Sequence, residues 1–202
     1  MYIVVATNNQ DKLKEILTFL EDLSSLDVDV LSLSQFPEIK KIDEDGLTFE
    51  ENAKKKSEIT AEVTKLLSIS DDSGLEVDYL NGQPGVLSAR FAGAGCTYAD
   101  NNKKLLSLLE GVPFEKRTAR FRCTVAISQP GKDTIITEGK IEGHIATEEF
   151  GDYGFGYDPV FIPINHNKTF AELGTTLKNE ISHRAEAFTK AKALLLEIIS
   201  KV

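Results

Sequence analysis

Asp71 and Asp72, followed by Ser73 and Gly74, are the residues of this sequence best suited to chemistry. Paired carboxylates are hard oxygen ligands, and magnesium is commonly held by one or two of them together with substrate phosphates. A second acidic cluster, Asp43-Glu44-Asp45-Gly46, could complete such a site. An Asp-x-Ser-Gly stretch also has a purely conformational reading, because Asp and Ser bond their own backbone in turns and Gly permits positive φ. Thr7-Asn8-Asn9-Gln10-Asp11-Lys12 follows an apolar run and opens a helix, where outward-facing N–H groups and the positive helix end favour an anion. Thr7 and Asn9 can donate to phosphate oxygens and Lys12 adds a charge. The segment lacks GxxxxGK[ST], so a plain helix cap is the competing reading.

Two further stretches carry groups that could recognise a ligand. In Gly154-Phe155-Gly156-Tyr157-Asp158-Pro159, glycines allow close approach to the backbone and Phe155 can stack on a base, a contact worth ~1–3 kcal/mol where such stacking has been tested. A buried turn aromatic explains the same residues. Lys178-Asn179-Glu180-Ile181-Ser182-His183-Arg184 is rich in donors, and His183 and Arg184 could bond a carbonyl. Other chemistries are excluded. The two cysteines, Cys96 and Cys123, form no CxxC and read as buried thiols, and the three histidines, His144, His166 and His183, form no HExxH pair.

The elements that must position these residues follow from periodicity. Tyr2 to Ala6 reads as a buried strand, and Leu13, Ile16, Leu17 and Leu20 recur at helical spacing after it. A second strand is expected at Val28 to Leu33. Thr48-Phe49-Glu50-Glu51 has the form of a capping box and opens a helix to about Leu67, whose Lys54-Lys55-Lys56 run reads as a solvated face. A buried strand is expected before Asp71 and an alternating one at Leu75 to Tyr79, which puts the double aspartate in a turn. Thr97 with Asp100 starts a leucine-rich helix closed by Gly111 and Pro113. Arg117 to Ser128 and Asp133 to Ala146 read as long strands joined across Gln129-Pro130-Gly131-Lys132. Gly151 to Pro163 reads as a loop, and Ser182 can cap a last helix that turns Ala185, Phe188, Ala191, Leu195 and Ile198 inward. Early alternation of helix and strand, with a late antiparallel pair, predicts an α/β fold on a mixed twisted sheet with flanking helices.

At 202 residues the chain is long enough for one domain, or for a joined pair of lobes, with a substantial core. No apolar run approaches the ~18 residues of a membrane span, and the N-terminus lacks a basic leader and cleavage site. A cytoplasmic protein is expected. Lys and Arg number 23 against 32 Asp and Glu, a net charge of −9 that disfavours nucleic acid, since such binding needs many phosphates neutralised. A phosphorylated ligand must be small and met by a local cationic island.

Six short motifs stand in order along the chain: Thr7-x-Asn9-x-x-Lys12, Thr48-Phe49-x-Glu51-Asn52-Ala53, Asp71-Asp72-Ser73-Gly74-Leu75, Pro84-Gly85-x-x-Ser88-Ala89-Arg90, Phe155-Gly156-Tyr157-Asp158-Pro159 and Ser182-His183-Arg184. Together they resemble the inosine/xanthosine triphosphate pyrophosphatase family over nearly the whole chain. One departure is Asn8, where many members have glycine. The resemblance implies a single domain over 1–202, of two lobes enclosing a substrate cleft. It implies a magnesium-dependent homodimer that hydrolyses ITP, dITP and XTP to monophosphate and pyrophosphate. By the same resemblance, Asp72 is the general base and a metal ligand, and Glu44 is the second metal ligand, with Asp43 and Asp45 as competing registers. Thr7, Asn8, Asn9, Gln10, Asp11 and Lys12 would hold the triphosphate. Ser73, Phe155, Gly156, Tyr157, Asp158, Lys178, His183 and Arg184 would surround the rest of the substrate. Two rival readings stay open at this point: a pyrophosphatase for other modified or pyrimidine nucleotides, and a non-catalytic nucleotide-binding module.

Overall fold

A computed structural model describes residues 1–201. Six strands form one sheet in the order β2-β1-β3-β4-β5-β6, and it is mixed, as the pattern of elements predicts. Strand β1 (Tyr2–Val5) pairs in parallel with both β2 (Asp29–Ser32) and β3 (Leu67–Val77), whereas β5 (Ile135–Ile145) pairs antiparallel with β6 (Phe161–Pro163). β4 spans Thr118–Ser128. The chain divides into two compact units, with one boundary between Asp72 and Ser73 and another between Arg184 and Ala185.

Unit 1 contains Met1–Asp72, Cys123–Gly139 and the segment from Ala185. Helix α1 (Gln10–Leu20) starts where the Asn9 side chain accepts from the N–H groups of Asp11 and Lys12. It buries Ile16 and Leu20, while Leu17, about 100° round the helix from Ile16, is 40% exposed. Helix α2 (Phe49–Thr64) is opened by the full capping box of Thr48 and Glu51. It ends at Thr64, because Lys65 turns left-handed and returns its N–H to Ala61 O; Leu67, expected in the helix, instead begins β3. The core joins Ile3, Val5, Ile69 and Val125 to Phe188 and Leu195 of α6 (His183–Ile199).

Unit 2 contains Ser73–Arg122 and Lys140–Arg184. Helix α3 (Tyr98–Leu108) has the capping box of Thr97 and Asp100 and buries Leu105 against Leu75, Phe121 and Phe161. Arg117 is buried and donates to Val112 O, Ala146 O and Leu109 O, the last a carbonyl that the end of α3 would otherwise leave bare. Short helices α4 (Phe170–Leu173) and α5 (Thr175–Ile181) precede α6.

Several expectations change. No turn interrupts Asp71-Asp72-Ser73-Gly74, which lies inside β3, because apolar Leu67, Ile69, Leu75 and Val77 on either side continue a single buried strand. The end of the glycine-rich loop is β6, and Lys178, just before the last helix, sits on a short helix of its own, α5. Cys123 is buried as expected, but Cys96 is partly exposed, in a loop where Gly93 and Gly95 both have positive φ.

Candidate active site

The first cluster belongs to unit 1 and follows from the sheet. Ile3, Val4 and Val5 pair in parallel with Leu67, Ser68 and Ile69, and Ala6 N extends the ladder to Ile69 O at 2.8 Å. The loop after β1 therefore leaves beside the aspartates of β3. Central strands flanked on both sides commonly create ligand sites at such carboxyl ends. Lys12, in the first turn of α1, brings its ammonium 3.3 Å from Asp71 Oδ2 and 3.9 Å from Asp72 Oδ1.

Helix α2 supplies the other wall. Asn52 and Lys56 are four residues apart and so share one face. Lys56 Nζ donates to Glu44 Oε1 at 2.5 Å and to Asp71 O at 2.7 Å, and it stands 3.9 Å from Asp72 Oδ1. Asn52 Nδ2 donates to Asp72 Oδ2 at 2.9 Å. Of the three acidic loop residues, Asp43 is exposed, Asp45 turns to Lys55, and Glu44 turns to the buried Lys56.

Burial pushes the Asp72 carboxyl above its ordinary value; Lys12 and Lys56 pull it down, Glu44 adds to the rise, and the Asn52 amide opposes it. Glu44 also feels burial, but the charge and hydrogen bond of Lys56, aided by Lys12, outweigh it and hold this carboxyl below its ordinary value. Neighbouring carboxyls driven apart in this way are suited to different roles, one able to take a proton and the other remaining charged. Among the described residues, no group of three or more His, Cys, Asp or Glu side chains is arranged to hold a metal by itself.

The rest of the phosphate-loop candidates are less engaged with this cluster. Thr7 Oγ1 accepts from Asn9 N at 3.2 Å, and Asn9 Oδ1 accepts from Asp11 N and Lys12 N at 2.9 and 3.0 Å. The cap thus takes helix-end donors that sequence reasoning offered to an anion. Asn8 and Gln10 are exposed, and Asp11 lies 3.8 Å from Lys14.

The second cluster belongs to unit 2. Lys178 Nζ meets Asp158 Oδ2 at 2.5 Å, and the same oxygen accepts from Phe155 N at 2.8 Å. Gly154 makes this possible: it has φ +78°, and a Cβ there would run into the Asp158 carboxylate. The Phe155 ring has Lys178 Nζ 4.4 Å and Arg184 Cζ 5.8 Å from its centroid, with Tyr98 at 5.9 Å. Arg184 donates to Ser73 Oγ at 2.7 Å, and the buried His183 ring lies flat on Phe121 at 4.7 Å. Tyr157 donates to Ser88 O at 2.9 Å, and burial holds its hydroxyl far above the usual tyrosine range. Asn102 Nδ2 donates to Gly156 O at 3.1 Å.

Within unit 1, Lys12, Glu44, Asp71 and Asp72 come together; within unit 2, Ser73, Phe155, Asp158, Lys178 and Arg184 do. Sequence reasoning missed Lys56, read as a solvated lysine, and Asn52, which had no role. Their i, i+4 spacing on a helix anchored by a capping box was the available signal.

This arrangement has relatives. A model of the Ham1 family matches residues 3–194. The chain is 50% identical over 195 residues to the dITP/XTP pyrophosphatase of Desulforamulus reducens, covering 96% of each chain. It is 49% identical over 192 residues to the protein of the same name from Bacillus subtilis, covering 95% of this chain and 96% of that one. The solved structures of the Staphylococcus aureus Ham1 protein and of a HAM1 protein from Coxiella burnetii superpose with TM-scores of 0.86 and 0.87 at 38% and 39% identity. Each comparison covers 98% of this chain and 99% of the other. The resemblance carried by the six motifs is thereby borne out: the chain belongs to the Ham1 family.

Proposed function

We propose that this protein hydrolyses deaminated purine nucleoside triphosphates (ITP, dITP and XTP) to the monophosphate and pyrophosphate, as a single pyrophosphatase domain. The names of the relatives support the substrate class. The observation that carries the chemistry is the setting of Asp72, a buried carboxyl held above its ordinary value beside two ammonium groups. Such a group can take a proton from an attacking water near neutral pH, and general base catalysis contributes roughly 10²–10⁴ in rate.

Magnesium fits the donor set of unit 1. Glu44 and Asp72 both approach one cation, the Lys56 ammonium, so positive charge is favoured there, and two carboxylates plus substrate phosphates are what magnesium takes. The ion would neutralise charge that develops on the pyrophosphate leaving group. Lys12 and Lys56 supply the chain's own positive charge toward the same phosphates, and Asp72 orients the water.

The donors of unit 2 suit a purine bearing O6. Hypoxanthine and xanthine present an acceptor where adenine presents an amino group, so donors of His183 and Arg184 aimed at O6 would meet another donor on adenine, a mismatch of ~1–3 kcal/mol each. Asp158, Lys178 and Phe155 form the wall against which the nucleotide lies, with Gly156 and Tyr157 carrying its backbone. The net charge of −9 favours a mononucleotide over a nucleic acid. No described helix is long and apolar enough to cross a membrane. The family resemblance supports a homodimer acting in the cytoplasm.

Pyrophosphate release from ITP, XTP, GTP, ATP and dTTP, with and without magnesium, tests the reading. We expect turnover of ITP and XTP that needs the metal. Equal or faster turnover of dTTP would reassign the enzyme to pyrimidine nucleotides, and ITP that binds but is never cleaved would make it a binding module.

A further inference from the structure

Asn52 uses both ends of one buried carboxamide. Its Nδ2 donates to Asp72 Oδ2 at 2.9 Å, and its Oδ1 accepts from Gly46 N at 2.8 Å. The orientation is forced, because an ionised carboxylate only accepts and a backbone N–H only donates. Gly46 stands two residues after Glu44, and a Cβ at position 46 would come within 2.7 Å of Asn52 Oδ1 and 2.8 Å of Glu51 Cβ. The next helix residue back continues the grip, since Glu51 Oε2 accepts from Leu47 N and Thr48 N at 2.6 and 3.3 Å. The first turn of α2 therefore clasps three successive N–H groups at the end of the acidic loop. One turn later on the same face, Lys56 receives Glu44.

We infer that Asn52 is a positioning residue that locks the rotation of the Asp72 carboxylate and ties it to the loop carrying Glu44. With Oδ2 engaged by the amide, Oδ1 is the oxygen that faces Lys12 and Lys56, both at 3.9 Å. The two oxygens of Asp72 are thereby made unequal before any substrate arrives. Without the amide, Oδ2 loses the hydrogen bond that opposes turning about the Cβ–Cγ bond, and the acidic loop is tied to Asp72 through Lys56 alone. This role rests on the pyrophosphatase reading above.

The decisive variant is Asn52→Asp, assayed near pH 8 so that the new carboxylate is ionised. It keeps an acceptor for Gly46 N but loses the donor to Asp72. We expect kcat for dITP to fall ~100-fold, the scale of a misaligned catalytic group, with KM changed by less than about threefold. Calorimetry should find a non-hydrolysable dITP analogue with magnesium bound within about threefold of wild type, since the binding groups remain in place. The exchange Asn52→Asp/Asp72→Asn restores an amide facing a carboxylate. It should recover the melting temperature that Asn52→Asp loses, while staying inactive. A kcat within about threefold of wild type for Asn52→Asp, or an exchange variant that melts no higher than Asn52→Asp, would overturn the role. Wild-type protein that fails to cleave dITP would refute the functional reading instead, and the melting comparison would still decide the Asn52–Asp72 coupling.

Discussion

The Lys178 ammonium lies 2.5 Å from Asp158 Oδ2, and both side chains are almost completely removed from solvent. A buried pair of this kind does little net good for stability, but breaking one side leaves a naked charge. Lys178→Met should therefore destabilise the protein by about 3–5 kcal/mol in chemical denaturation. Phe155, whose N–H shares the same oxygen, should lose order with it. Lys178→Met/Asp158→Asn should regain most of the loss, since neither charge remains. A single variant as stable as wild type would mean that Asp158 finds another partner.

The role proposed for Asp72 would set stability against catalysis. Burial holds its carboxyl above the ordinary range, so the folded protein disfavours the ionised form relative to the unfolded chain. Stability at neutral pH is therefore lowered by this group and is regained as pH falls through its folded value. Asp72→Asn should melt at or above wild type while losing roughly 10²–10⁴ in turnover and retaining ITP binding. An Asp72→Asn variant with near-native turnover would remove this residue from its role.

If His183 reads the base as proposed, it would couple base choice to the core, because its ring stacks at 10° on Phe121. His183→Ala should narrow the ratio of kcat/KM between ITP and ATP and also remove ~0.5–1.5 kcal/mol of ring packing. Rates on both substrates separate the two effects, since lost packing alone leaves the ratio unchanged. A constant ratio would move O6 recognition to Arg184 or elsewhere.

Asp78 provides a stability probe away from the catalytic groups. A hydrogen bond from Thr118, opposed by burial and reinforced by the hydrogen bond and charge of Arg120, holds its carboxyl below the ordinary value. The folded chain thus prefers it ionised, and that contribution is present above the ordinary aspartate range and lost as pH falls through the lowered folded value. Asp78→Asn should flatten the acid side of the stability profile slightly, because this half-exposed carboxylate is screened by water. An acid limb as steep as wild type, measured by denaturation from pH 6 to about 3, would assign the loss to other carboxylates.

Much of the local structure was legible because it depends on residues three or four apart. The capping boxes of Thr48–Glu51 and Thr97–Asp100 and the apolar stripe of α1 are encoded within single turns. So is the Asn9 cap, and Lys132 N closes on Gln129 O across the predicted turn. The six motifs likewise marked most of the candidate site. The reading of Asp71-Asp72-Ser73-Gly74 as a turn failed because turn preference is a local property, whereas burial on both sides kept β3 extended. The lysine run misled for a similar reason: composition marks Lys56 as a surface residue, but two acidic segments meet its ammonium below the surface.

By itself, the sequence determined which side chains were available, where helices start and which family they belong to. Tertiary structure alone decided that Asp72 faces Lys12 across 60 positions of chain, because that contact exists only once β1 has paired with β3. It also decided that Asn52 grips Asp72 and Gly46 together and that Lys178 finds Asp158. Charges and amides act through distance in a poorly screened interior, and the strand pairing and packing that set those distances cannot be read from spacing along the chain.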